Sequence, residues 1–224
     1  MVLVLFTITA LSSLLVGLVN YITQDTIAQT ETKTKNEAKF KVLGTSEKEA
    51  MIVADSIYTI SDFEVVASIV ANKNNKEIIG YAVEAPSITK NGYGGRIKLM
   101  VGFMPNEAKD GVTISGIEVL AQNETPGLGA NMKNPGNNLE KSALNNDPST
   151  MTFKVKKEGG SFDALTGSTI SSRAYANAME TAYAGYLKAT GQLEDIKIED
   201  TTSGATDTAS GATTDAASGA TNNK

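Results

Sequence analysis

The opening stretch constrains this chain more than any other. Met1 to Thr23 is predominantly apolar and carries no ionised side chain, the first being Asp25. A run of that size matches the roughly 20 residues that a helix needs to cross the hydrocarbon layer of a bilayer. A cleaved secretory leader would begin with basic residues and end at a small-residue cleavage site. No Lys or Arg stands ahead of the run and no clean A-x-A site follows it. We therefore expect a retained transmembrane helix over residues 1–23, and whatever follows must fold beside a membrane.

Beyond it, residues 24–60 read as a helical stalk, polar and rich in helix formers up to Leu43. Thr45-Ser46-Glu-Lys-Glu-Ala50 has the look of a capped second helix start. The texture then changes. Phe63 to Val70 and Lys76 to Val83 are rich in β-branched residues around the turn sequence Asn72-Lys-Asn-Asn75, which predicts a hairpin. Ile97, Leu99, Val101 and Phe103 alternate with Lys98, Met100 and Gly102, a strand with one core-facing side. Asn106 to Gly111 turns the chain back into Val112–Ala121, where the alternation slips near Ser115-Gly116 and predicts a bulge. Met151 to Val155 reads as one more short strand. Tyr175, Met179, Ala182 and Tyr186 lie at helical spacing and give a final helix its apolar stripe. Hairpins flanked by helices argue an α+β fold, an antiparallel sheet domain with flanking helices over residues 61–190. Residues 191–224 read as a linker and a low-complexity tail, disordered because its small polar residues cannot bury enough apolar area to offset chain entropy.

Composition removes several chemistries. The chain has no Cys and no His in 224 residues. That excludes a disulfide framework, thiolate nucleophiles and iron–sulfur clusters on Cys, and also the Ser-His-Asp triad, proximal-His haem and the usual zinc sites. A net charge of -5 with no basic cluster gives no sign of nucleic acid. If electrons pass through this chain, an organic cofactor must carry them.

The stretch with chemistry in it is Asp163-Ala-Leu-Thr-Gly-Ser-Thr-Ile-Ser-Ser172, crowded with hydroxyls ahead of the last helix. Ser171 or Ser172 can cap that helix. A helix N-terminus offers free N–H groups to a phosphate, and Gly167 lets the backbone approach closely. Thr166 and Ser168 are candidate phosphate ligands. A second candidate is Glu124-Thr-Pro-Gly-Leu-Gly129, where Pro126-Gly127 suits a type II turn and Gly127 and Gly129 would admit a flat ring on which Leu128 could pack. Gly92-Tyr-Gly-Gly95 precedes both, and Tyr93 suits core packing as well as ring contact.

Asp163-x-x-Thr166-Gly167-Ser168-Thr169-x-Ser171 resembles the acceptor motif of proteins to which a flavin transferase joins FMN through a phosphodiester to threonine. The usual form has alanine where this chain has Ser168. Gly92 to Gly95, Gly111 to Val119 and Glu124 to Gly129 follow in an order similar to the FMN-binding domain of the RnfG and NqrC subunits. The resemblance covers most of residues 1–190. It implies covalent FMN on Thr169 Oγ1, a flavin pocket lined by Glu124, Thr125, Gly127, Leu128 and Gly129, and a recognition or loop-capping role for Asp163. It further implies an FMN-carrying electron-relay subunit of a membrane-bound Rnf-type ferredoxin:NAD oxidoreductase coupled to Na+ or H+ translocation. The partners would be the other membrane subunits, with the flavin transferase needed for maturation. The chain has no nicotinamide fingerprint and no cluster ligands, so it would relay electrons between neighbours and complete no reaction alone. An NqrC-like member of a quinone reductase is the nearest alternative. Others are a stand-alone surface flavoprotein and a non-redox anchored domain. Lys33, Lys35, Lys39 and Lys41 follow the apolar run and by charge count point the soluble part inward. The resemblance implies the extracytoplasmic side, and we follow it. Finally, Thr206, Thr213 and Thr221 in the tail sit in motif-like repeats, which a low-complexity spacer explains as well as extra flavins do.

Overall fold

The computed structural model describes residues 1–106 and 111–192. Residues 193–224 of the linker and tail expected over 191–224, and most of the turn expected over 106–111, lie outside the described residues. One helix, α1, runs unbroken over Val2–Lys41. At 1.5 Å per residue it is about 60 Å long, long and apolar enough to cross a membrane and continue beyond it. Five strands follow, β1 (Ala50–Ile60), β2 (Phe63–Asn72), β3 (Ile78–Pro86), β4 (Lys98–Asn106) and β5 (Gly111–Ala121). They form one antiparallel meander in sequence order. After β5 come a short helix, α2 (Asn138–Ala143), three short 3-10 turns and the closing helix α3 (Thr169–Ala189).

Three expectations fail. The stalk predicted over 24–60 stops at Lys41, and the second helix predicted from Thr45 does not form. Residues 50–60 are instead the edge strand β1, rich in Ile, Val, Tyr and Thr and paired with β2 along its whole length. A two-residue turn at Ser61-Asp62 sets that pairing, with φ of 47° and 68°; positive φ at both positions matches the twist of a tight hairpin. The cap-like sequence at Thr45-Ser46 closes a local turn, in which Ser46 O accepts from the N–H groups of Glu49 and Ala50. Pairing across the sheet has overridden local helix signals. The short strand predicted over Met151–Val155 is also absent. That segment folds back on Ser161-Phe162 and makes only one isolated bridge, Val155 to Phe162.

The sheet is covered on both sides. On one side, α3 lays Ala174, Tyr175, Ala178, Met179 and Ala182 on Val65, Ala67, Val83, Leu99, Val101 and Phe103, all buried. The alternation read in β4 describes this face. The other face, which carries Lys98, Met100 and Gly102, is covered by the end of α1. Phe40, Val42 and Leu43 bury Met100, Ala82 and Val70 there. Gly102 and Gly116 face each other across β4 and β5, and a Cβ on either would collide with the Val42 backbone. The bulge predicted at Ser115 is present, since Gly102 pairs with Gly116 and Phe103 with Ile114. Ser115 Oγ donates to Val42 O at 2.7 Å. Ion pairs Lys35–Glu84, Lys39–Asp55 and Lys41–Glu118 fasten the same stretch of α1 to the sheet.

Candidate functional site

The Gly92–Gly95 loop and the Glu124–Gly129 segment are both brought to the N-terminus of α3. The helix begins at Thr169, with Ser168 as its N-cap. Ser171 and Ser172, read from sequence as possible caps, are inside the first turn. Ser172 Oγ donates to Ser168 O at 2.8 Å and accepts from Leu165 N–H at 3.0 Å. Ser171 Oγ donates to Glu124 Oε2 at 2.5 Å. Ser168 makes no side-chain cap bond. Its hydroxyl is buried, the residue being 2 % exposed, and has no hydrogen-bond partner. The opening N–H groups of a helix have no intrahelical acceptors, and here no side chain occupies them from the cap position.

Glu124 ties the pieces together. It is 7 % exposed, and its second oxygen accepts from Gly94 N–H at 2.9 Å. One carboxylate therefore joins the Gly92–Gly95 loop to the first turn of α3. Glycine on both sides makes room for it, since a Cβ on Gly92 or Gly129 would run into the Glu124 carboxyl. This explains the glycines at 92 and 129 by close approach rather than by turn geometry. The loop before β4 is held from the same helix. Asn177 Oδ1 accepts from the N–H groups of Ile88 and Thr89 at 2.7 and 2.9 Å, and Arg96 lies 4.0 Å above the Phe63 ring while donating to Ser87 O.

Two like-shaped turns flank Thr169. Leu128 N–H returns to Thr125 O at 3.1 Å, with Gly127 at φ 78°. Ser168 N–H returns to Leu165 O at 3.1 Å, with Gly167 at φ 71°. Each turn needs a positive φ at its third residue, which glycine alone adopts without strain. The turn predicted at Pro126-Gly127 thus forms, and an equivalent one at Thr166-Gly167 stands beside it. The Leu128 side chain reaches 3.4 Å from where a Gly167 Cβ would stand. Thr125, Gly127, Thr166 and Gly167 are exposed, Thr169 is half-buried and Gly129 is buried. Leu128, Ile170 and Tyr93 are 45 %, 37 % and 73 % exposed.

The predicted residues therefore converge, with qualifications. Asp163 caps nothing in the loop; its carboxylate pairs with Lys156 at 2.6 Å. Arg173, one turn into α3, pairs with Glu158. Lys156 and Arg173, on either side of the loop in sequence, are thus engaged by carboxylates. Sequence reasoning missed Ser171 as the partner of Glu124, because a serine in a first helical turn reads as a cap and its true partner lies 47 residues away. Tyr93 is too exposed for core packing. Deeper in α3, burial raises the pKa of the Tyr175 hydroxyl and keeps it neutral, with the Glu140 carboxylate adding to the effect.

A residue type suited to esterification, an uncapped helix start and exposed apolar side chains at Leu128 and Ile170 fit a phosphorylated aromatic cofactor. Residues 92–184 match the family described as the FMN-binding domain. The chain is 30% identical over 179 residues to the G subunit of the Na(+)-translocating ferredoxin:NAD(+) oxidoreductase complex of Acetobacterium woodii, covering 77% of this chain and 83% of that one. It is 29% identical over 173 residues to the G subunit of the ion-translocating oxidoreductase complex of Vibrio vulnificus, covering 74% and 78%. It is 38% identical over 112 residues to the protein of that same name from Pasteurella multocida, covering 48% of this chain and about half (51%) of the relative. The chain belongs to the RnfG family of FMN-binding oxidoreductase-complex subunits.

Proposed function

We propose that this chain is the FMN-carrying relay subunit of a membrane-bound Rnf-type ferredoxin:NAD oxidoreductase complex that couples electron transfer to Na+ or H+ translocation. FMN is joined to Thr169 Oγ1 through a phosphodiester. The observation that carries this reading is Thr169 itself, half-buried as the first residue of α3, whose cap side chain leaves the helix N–H groups free. Those groups favour a phosphate diester anion, and Thr166 and Gly167 leave room for it at the surface. Covalent attachment suits an extracytoplasmic domain, because a dissociable cofactor would be lost by dilution.

FMN supplies reversible reduction at its ring, which the phosphate bond leaves free. This chain's part is to hold and orient. Glu124 locks the start of α3 to the Gly92–Gly95 loop, so the attachment point and its surroundings move as one body. Thr125, Gly127 and Leu128 present an exposed turn beside it, and Leu128 and Ile170 offer apolar surface to a ring. Electrons would enter from one neighbouring subunit and leave to another, with α1 anchoring the domain in the membrane and the flavin transferase acting during maturation.

Protein produced with a flavin transferase should carry covalent FMN on the tryptic peptide of residues 158–173. Thr169→Ala should remove it there while leaving the circular dichroism spectrum and melting curve unchanged. Flavin retained on that peptide in the variant would refute the assignment. Purification from its native membrane should bring iron–sulfur subunits with it; a chain that purifies alone would favour a stand-alone surface flavoprotein.

A further inference from the structure

We propose that the open edge of β5 is a docking groove for an extended segment of a neighbouring subunit, which adds to the sheet as a sixth strand. The proposal rests on the assignment of this chain to a multi-subunit complex made above. β5 ends the sheet, with β4 on one side and no strand on the other. Alternate residues of such an edge strand turn both N–H and C=O away from the sheet. The chain itself covers Ile114, whose N–H donates to Asn146 O at 3.1 Å and whose O accepts from Asn145 N–H at 2.9 Å. From Ser115 to Ala121, no backbone group is bonded to any segment but β4 among the described residues.

That stretch is set into a groove. A cavity of about 530 Å³ runs along it, lined by residues 115–120, by the end of α1 on one side and by Met132 and Leu144 on the other. Ile117, Val119 and Leu144 are half-buried and Met132 is buried. An added strand lies about 4.8 Å from its neighbour, which places it in this cavity. Tyr175 reaches the same cavity from α3 and is 1 % exposed. Its hydroxyl lies in the field of Glu140, another lining residue, and makes no hydrogen bond among the described residues. Buried phenols ordinarily have a partner; this one is a donor open to an acceptor brought from outside. Lys133, also on the cavity wall, is exposed and unpaired among the described residues, whereas Lys41 is bonded to Glu118.

Those groups define the occupant. Its backbone pairs with the β5 edge, an apolar side chain covers Ile117 and Val119, a carbonyl accepts from Tyr175, and an acidic residue meets the free charge of Lys133. Main-chain pairing supplies affinity and the side-chain pocket supplies choice of partner. A small apolar molecule would leave both the edge and the phenol unanswered. A neighbour in the same membrane is placed to supply the segment, because one wall of the groove is α1 itself, continuous with the stretch long enough to cross a bilayer.

Hydrogen exchange should be compared between the full chain purified alone in detergent and the same chain in the complex isolated from its native membrane. We expect the outward amides of residues 115–121 to exchange at least about tenfold more slowly in the complex. Tyr175→Phe should leave the melting temperature of the chain alone unchanged, since no bond within the domain is lost. It should weaken retention in the complex by up to about tenfold, the worth of one hydrogen bond, and Lys133→Glu should weaken it as well. Equal exchange of those amides in the two samples would overturn the proposal and leave the complex assignment intact. Protection already present in the chain alone would overturn it too. If that protection grows with protein concentration the occupant is a second copy, and if it vanishes on removing residues 193–224 it is the chain's own end. A chain that brings no other subunit from the membrane would remove the complex assignment and this proposal with it.

Discussion

Glu124 and Ser168 are both buried polar residues beside Thr169, and their roles are opposite. Glu124 satisfies two groups from separate elements, Gly94 N–H and the Ser171 hydroxyl. Removing it strands them, and a buried unsatisfied donor costs about 1–3 kcal/mol. Glu124→Ala should therefore lower the melting temperature and the yield of bound flavin together. Glu124→Gln can still accept from Gly94 and donate to Ser171, so it should recover most of the loss in a thermal melt. The Ser168 hydroxyl has no partner to lose. Ser168→Ala should leave the melting temperature of the flavin-free protein unchanged or raise it by the equivalent of up to about 1 kcal/mol, since an unpaired buried hydroxyl carries a desolvation cost. A clear drop would mean that the hydroxyl is engaged in the fold.

At the level of elements, the contact between the end of α1 and the β4–β5 pair is sensitive to a single atom. Gly116 leaves room for the Val42 backbone, and a Cβ there would stand 2.5 Å from Val42 O. Backbone cannot rotate away as a side chain can, so the helix end must shift. Overpacking of this kind costs roughly 1–3 kcal/mol. Gly116→Ala should destabilise the domain by that amount in urea titration and increase proteolysis near Thr45, while the α3 face of the sheet stays intact. The same substitution at Gly127, which is exposed with no neighbour in contact, acts only through backbone strain at φ 78°.

On the scale of the whole molecule, the folded domain does not begin where the sequence pattern changes. Phe40, Val42 and Leu43 complete the second core from the end of α1 and the turn that follows it. A chain starting at Lys33 should fold with native stability and stay soluble. A chain starting at Thr45 leaves Met100, Ala82 and Val70 uncovered and should melt several degrees lower and bind a hydrophobic dye. The chain has no cysteine, so Asn74→Cys, in an exposed turn, provides a clean label for sidedness. An impermeant maleimide added to intact cells should modify it if the domain is extracytoplasmic; labelling only after lysis would reverse the orientation.

The apolar opening helix, the hairpins of the sheet and the turn at Pro126-Gly127 were legible in the residues because each is a local pattern, whereas the pairing of the two glycine-bearing loops rested on the family resemblance. Hydrophobic length, alternation and turn chemistry act over a few neighbours, and the Ser115 bulge could be read from a phase slip. Three things were decided only by tertiary structure. Residues 50–60 became a strand because β2 offered a partner, overriding a helix-like start at Thr45. The second face of the sheet was closed by the end of α1, from residues far along the chain from the Met100 and Ala82 they cover. The site's central link, Glu124 to Ser171, joins side chains that sequence alone gives no reason to pair. In each case the deciding energy comes from burial or a hydrogen bond between distant segments, and no single stretch of sequence contains both halves of it.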